Sequence, residues 1–373
     1  MKNNLQRSSG LDLLRFVSMF MIIILHVLLF GGILKSVPLN SVNYFLSYFL
    51  ESLSICAVNC FILISGYFLI YQKFRLQKLV KLWFEIIFYS YLFLFTAYIF
   101  NYPVSHSNLI KSLLPVLSGT NWFISCYVML YILFPFYNKF ILSLSEKETD
   151  IFVVILLVLF SLWGFIFPGV TAVTTNGYNI LWISFVYMLG AYIRLNEQFF
   201  MRIKWYWYLA VYLLSSIATL GAGIFFVYVL NRSFVPMLNY NSIFIITAAV
   251  SLFCLFKKKP AVNSVFDRCV FFATPAVFGI YLIHINMFVK DKLVSISKLT
   301  LYVKDPYLIV YILIVSVIVF LGLLAASFTG QKVIAFLFNK FVWNIFEKTS
   351  VYLKRKIGKI FMRINKKYDF NKE

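Results

Sequence analysis

"LDLLRFVSMFMIIILHVLLFGGIL", residues 11–34, is long enough and apolar enough to cross a membrane, yet it carries Arg15 and His26. A ~30 Å hydrocarbon core takes about 20 apolar residues to span. An arginine at a helix centre costs about 2.5–3.5 kcal/mol on insertion scales, so intramembrane ionisable residues face a bundle interior or a wet cavity. At 100° per residue, the separation between Arg15 and His26 is three turns plus about 20°, which puts both on one face about 16 Å apart along the axis. They are expected to line one path. Simpler readings stay open. Arg15 could snorkel to the inner surface or pair with Asp12 one turn earlier, and His26 could serve only as a hydrogen-bonding group to a neighbouring helix.

The rest of the chain reads the same way. Hydrophobic residues make up 62% of the 373 residues and charged residues 13%, against about 45–50% and 25% in a soluble domain. Apolar runs separated by turn-like breaks predict an all-α polytopic membrane bundle of about ten helices, at 11–34, 44–70, 79–100, 122–142, 151–167, 179–194, 205–229, 240–256, 272–290 and 307–328. With the N- and C-termini in the cytoplasm, the only Lys and Arg residues outside are Lys35, Lys111, Arg232, Lys290, Lys292, Lys298 and Lys304, as the positive-inside rule requires. That bias accounts for the net charge of +21 without nucleic acid.

Residues 1–330 are expected to form one membrane domain. Residues 331–373 repeat apolar positions at helical spacing (Ile334, Phe338, Phe341, Ile345) and run into "YLKRKIGKIFMRINKKY". This suits a basic amphipathic tail on anionic membrane lipids. The cysteines Cys56, Cys60, Cys126, Cys254 and Cys269 show no metal-type spacing and read as small core residues; no metal is expected. The first apolar run lacks a small-x-small cleavage site and is expected to remain as a helix.

Five pieces of sequence, in order, carry a resemblance: Arg15 and His26 with ten residues between them, "FILISGYFLI" at 61–70, "NWFISCYVMLYILFPFYN" at 121–138, "LWISFVYMLGAYI" at 181–193, and "FGIYLIH" ending at His284. Over about 11–328 the chain resembles the acyltransferase family 3 integral membrane proteins, which move acyl groups from cytoplasmic acyl-CoA to acceptors such as surface glycans. The resemblance implies an O-acetyltransferase of the bacterial cytoplasmic membrane. Acetyl-CoA, or another acyl-CoA, would be its donor substrate rather than a bound cofactor, and a glycan or lipid-linked glycan of capsule or exopolysaccharide type its acceptor. Many members carry two arginines in the first cytoplasmic loop. Here the positions are Arg75 and Lys78, which keep the charge but lose one bidentate fork; they are donor-phosphate candidates or simply a positive-inside loop. Several members also carry an extracytoplasmic esterase-type domain. None is visible here, so transfer is expected to finish within the membrane domain.

The resemblance gives His26 the catalytic position. An apolar site favours a neutral imidazole able to accept a proton, so His26 reads as general base on an acceptor hydroxyl. The alternative is a histidine that is itself acylated. Arg15 reads as an orienting group on the donor route. His284, in the outer half of the ninth span, either completes the site or only closes the bundle with a structural hydrogen bond. Glu51 is a candidate at the outer mouth, and Trp122 and Tyr67 are candidate sugar-stacking rings or interfacial aromatics. Ser65 and Gly66 read as close-packing residues, and Glu85 as the partner of Lys81. The main rival function is a lipid-linked oligosaccharide flippase, polymerase or glycan exporter. That class would carry more charged or broken helices and often repeat symmetry. A non-catalytic scaffold is the third class.

Overall fold

The computed structural model describes residues 8–349 except 120, 164–174, 232–234, 260–264, 296 and 347. Most of the expected surface tail, 350–373, lies outside the described residues. Those described are helical or in turns, with no strand among them. In chain order, leaving aside the single turn Ile33–Ser36, the helices are α1 (Ser9–Phe30), α2 (Val42–Ser54), α3 (Ala57–Leu69), α4 (Leu76–Ile99), α5 (His106–Leu113), α6 (Trp122–Ser143) and α7 (Glu146–Leu157). They continue as α8 (Ile180–Leu195), α9 (Glu197–Arg202), α10 (Trp205–Tyr228), α11 (Ile243–Lys257), α12 (Val265–Ala273), α13 (Val277–His284), α14 (Lys290–Ser295) and α15 (Leu308–Leu337).

Six stretches are long and apolar enough to cross a membrane: α1, the α2–α3 pair, α4, α6, α10 and the last helix, which runs from Leu308 to Phe346. Helices α8 and α11, at the sixth and eighth expected spans, are apolar but shorter. The fifth expected span begins as α7 and continues through a π-turn at Val158–Leu162, and its remainder falls outside the described residues.

The ninth expected span, 272–290, is not one helix. A 3-10 turn at Thr274–Ala276 separates α12 from α13, with Pro275 at its start, where a residue lacking an N–H fits a helix beginning and not a helix interior. Beyond His284, the Asn286 side chain accepts a hydrogen bond from the Phe288 amide at 3.0 Å, an Asx turn that competes with helical continuation. The last helix also differs from its expected end near 328. It continues unbroken to Leu337 and through a π-turn to Phe346, because Gln331 donates a hydrogen bond to the buried Glu85 and Gly330 leaves room for the Tyr89 ring. Gln331 thus makes the hydrogen bond to Glu85, and Lys81, the partner the sequence suggested, acts on it through charge.

Helix α1 lies inside the bundle, against α2, α3, α11, α12 and α15. The close packing around it depends on glycine. A Cβ at Gly66 would stand 2.0 Å from the Tyr187 carbonyl oxygen, and one at Gly190 would stand 2.3 Å from that of Leu63. Helices α3 and α8 therefore meet backbone to backbone, the contact small residues permit in membrane bundles. Asn59 extends this joint. It donates to the Tyr240 carbonyl at 2.9 Å and accepts from the Trp182 indole at 3.0 Å. Both polar ends of a fully buried amide are satisfied, and the loop bearing Tyr240 is held against α3. Cys56, Cys60, Cys126 and Cys254 are buried and unbridged, as small core residues; Cys269 is exposed.

Candidate active site

Positions 15, 19, 22 and 26 of α1 follow helical spacing, and all four line one cavity of about 330 Å³. Arg15 and His26 are therefore on a common path through the bundle interior. The opposite walls come from Val58, Phe61 and Ser65 of α3, Leu82 of α4, Trp122, Phe123 and Tyr127 of α6, Tyr240, and Val277, Phe278 and Tyr281 of α13. Thr274, in the break of the ninth expected span, also lines it. The broken helix thus forms one side of the site.

At one end, Arg15 Nη1 lies 2.6 Å from Asp12 Oδ1, and its guanidinium sits 5.2 Å from the Phe68 ring centroid. The pairing expected as an alternative to a site role coexists with it: Arg15 is paired and still lines the cavity. Asp12 is buried, and a buried charge without such a partner would carry a large desolvation cost.

At the other end, His26 Nδ1 and His284 Nε2 are 2.8 Å apart. The His26 ring also stacks on Phe30, with centroids 4.7 Å apart. His284 is buried on α13 and contacts the Ile280 carbonyl through Nδ1 at 2.8 Å. It stands behind His26, outside the cavity lining. An aromatic wall continues from the histidines: Tyr281 lies against His284 (5.5 Å), Phe123 against Tyr281 (5.4 Å), Trp122 against Tyr240 (5.5 Å), and Tyr178 against both Trp122 and Tyr240 (4.8 Å each).

The other sequence candidates stand elsewhere. Glu51 is buried on α2 without lining the cavity, and its Oε2 has no hydrogen-bond partner among the described residues. Arg75 and Lys78 are exposed at the start of α4 and do not line the cavity. Tyr67 does not share a site with Trp122. It is buried near the Arg15 end of the bundle, where its hydroxyl accepts from Arg194 Nη1 at 2.6 Å. Arg194 and Lys257 lie 4.8 and 5.5 Å from its ring centroid. Both cations also pair with Glu197, Lys257 at 3.0 Å. Partial burial works to raise the Glu197 carboxyl, but Lys257, Tyr67 and Arg194 outweigh it and hold the group below the usual carboxylate range.

Sequence reasoning missed Tyr240 and Tyr281 as lining residues. Tyr281 had a signal, lying one turn before His284 on the same helix. Tyr240 sits in a loop whose position is set by long-range hydrogen bonds, from Asn59 to its carbonyl and between Asn241 and Phe160 and Ser161. Among the described residues, no cluster of three or more His, Cys, Asp or Glu side chains could hold a metal ion.

No curated protein and no solved structure matches the chain. A family model described as an acyltransferase domain matches residues 8–331. That range includes both ends of the cavity, every residue that lines it, and all the long apolar helices at least in part. With the partly buried Arg15 and His26 along one path between membrane-length helices, and with that match over most of its length, this multi-pass membrane protein belongs to acyltransferase family 3.

Proposed function

We propose that the protein is a membrane O-acyltransferase that transfers acetyl from cytoplasmic acetyl-CoA to a hydroxyl of a bacterial surface glycan or its lipid-linked precursor. In this reading it sits in the bacterial cytoplasmic membrane with about ten spans and both termini inside. The observation that carries it is the single cavity with Arg15 at one end and His26 beside an aromatic wall at the other. A path about 16 Å long lets a charged donor group stay near Arg15 while its thioester reaches His26.

In the reaction, a ring nitrogen of His26 accepts the proton of the acceptor hydroxyl as its oxygen attacks the thioester carbonyl. The new C–O bond forms, the C–S bond breaks, and the proton passes to the departing thiolate, giving an ester and free CoA. A positioned base contributes about 10²–10⁴ in rate. Arg15, with its orientation fixed by Asp12, binds donor phosphate, and exposed Arg75 and Lys78 add an outer basic contact. Trp122 and Tyr240 offer ring faces to a sugar, and Asn121, at the N-terminus of α6, supplies amide hydrogen bonds.

The test is release of free CoA thiol by the purified protein in lipid nanodiscs. Release from acetyl-CoA that depends on added glycan acceptor and disappears in His26→Ala supports the reading. Glycan transport or polymerisation without thiol release sinks it. Acyl-protein that accumulates on His26 when acceptor is withheld would replace the base with an acylated histidine.

A further inference from the structure

We propose that His284 is a positioning residue that fixes the tautomer of His26, so that His26 Nε2 is the nitrogen that takes the acceptor's proton. The inference rests on the acyl-transfer reading above and names the atom at which it operates.

It begins at the Ile280 carbonyl. That oxygen can only accept a hydrogen bond, and His284 Nδ1 lies 2.8 Å from it, so the proton of His284 is on Nδ1. His284 is 2% exposed, and no carboxylate lies within ion-pair distance of it among the described residues. A charged imidazole buried without a counter-ion is costly, so the ring is neutral and carries one N–H only.

His284 Nε2 therefore has a lone pair. The atom facing it at 2.8 Å is His26 Nδ1, which must donate. A neutral His26 with its proton on Nδ1 has its own lone pair on Nε2, across the ring from His284. His26 lines the main cavity and His284 does not, while both border a much smaller void of about 10 Å³ beside Phe30 and Lys290; with Nδ1 turned to His284, Nε2 is the ring nitrogen left for the main cavity. Among the described residues nothing else hydrogen-bonds His26, so Nε2 is free for a substrate hydroxyl.

The order Ile280 carbonyl, His284, His26 has the logic of an orienting group behind a catalytic histidine, with a second imidazole in place of a carboxylate. Stacking on Phe30 at 4.7 Å restrains the ring plane. The relay also explains why His284 falls at the last turn of α13: Ile280 is its own i−4 residue, so one helical turn supplies the carbonyl.

The chain has three histidines, His26, His106 and His284, so the protonation of each ring can be read in one nitrogen NMR spectrum. The full-length protein, labelled with 15N-histidine in nanodiscs and assigned through His106→Gln, is expected to show Nδ1–H rings at both His26 and His284. Kinetics then separate positioning from packing. His284→Leu is expected to lower kcat on the order of 10²–10⁴-fold with KM for acyl-CoA little changed. His284→Gln, whose amide oxygen can still accept from His26, is expected to recover much of the loss.

A wild-type His26 protonated on Nε2 overturns the proposal, whether or not acyl transfer is detected. Full kcat in His284→Leu overturns it too. So does an equal loss in both variants with the His26 tautomer unchanged, which would make His284 a packing residue. Wild-type Nδ1–H tautomers without any acyl transfer would leave the relay standing and refute the assigned reaction instead.

Discussion

Arg15 Nη1 is held 2.6 Å from Asp12 Oδ1, one turn away on the same helix, and the guanidinium so fixed lines the cavity that ends at His26. The pair turns a flexible cation into an oriented one. Arg15→Lys keeps the charge but loses the planar fork. Asp12→Asn keeps the arginine but frees its orientation. Both are expected to raise KM for acyl-CoA about tenfold, with a smaller change in kcat, since helix geometry sets Arg15 about 16 Å along the axis from His26, where the proposed reaction takes place. Steady-state kinetics with varied donor check this; an unchanged KM beside a collapsed kcat would move Arg15 into the chemistry.

In the proposed reaction Trp122 and Tyr240, which line the cavity, face the acceptor. Trp122→Ala is expected to raise KM for the glycan by about tenfold, the loss of roughly 1–1.5 kcal/mol of ring contact, with KM for acyl-CoA unaffected. Tyr67→Phe, at the Arg15 end, is expected to leave acceptor KM alone. Acceptor titrations on the two variants separate the ends of the path, and equal effects would contradict the division.

The α3–α8 joint is a stability prediction. Gly190→Ala places a Cβ 2.3 Å from the Leu63 carbonyl, a backbone contact that cannot yield without moving a helix. Overpacking of this kind costs about 1–3 kcal/mol. A lower Tm in detergent is expected for Gly190→Ala, while Gly221→Ala, in open space on α10, should match or exceed the wild type.

Glu197 predicts an acid-side dependence. Its carboxyl is held below the usual range in the folded protein by Lys257, Tyr67 and Arg194 against the opposing effect of burial. A depressed folded value means that the unfolded chain binds the proton first as pH falls. The stabilisation is thus present above the ordinary carboxylate range and is lost as pH drops through the folded value. The fall in Tm between neutral pH and about pH 3 is expected to be smaller in Glu197→Gln than in the wild type, and an equal fall would contradict the assignment.

The path from Arg15 to His26 was legible because eleven residues make nearly whole turns of a helix, and ionisable groups in an apolar run have few places to go. The apposition of His284 could be read only as shared depth. That its nitrogen meets His26 depends on how α13 packs, which no periodicity encodes. Tyr67 shows a different failure. The second span runs back across the membrane, so a residue at its end belongs beside Arg15 and not beside Trp122, and the expected topology already contained that fact. The break at Pro275 was likewise written in the sequence but hidden by the apolar run around it. Tyr240 carried no signal, since a loop tyrosine reaches the cavity through contacts distant in sequence: the Asn59 hydrogen bond to its backbone, and those of Asn241 with Phe160 and Ser161.

The most direct test is NMR of the surface polysaccharide from cells carrying the wild type, His26→Ala or no protein, at matched membrane levels. O-acyl signals present only with the wild type are the predicted result, and they would name both the acyl group and the hydroxyl. Equal acylation in the variant, with less polymer at the surface, would contradict acyl transfer through His26 and point to export or polymerisation.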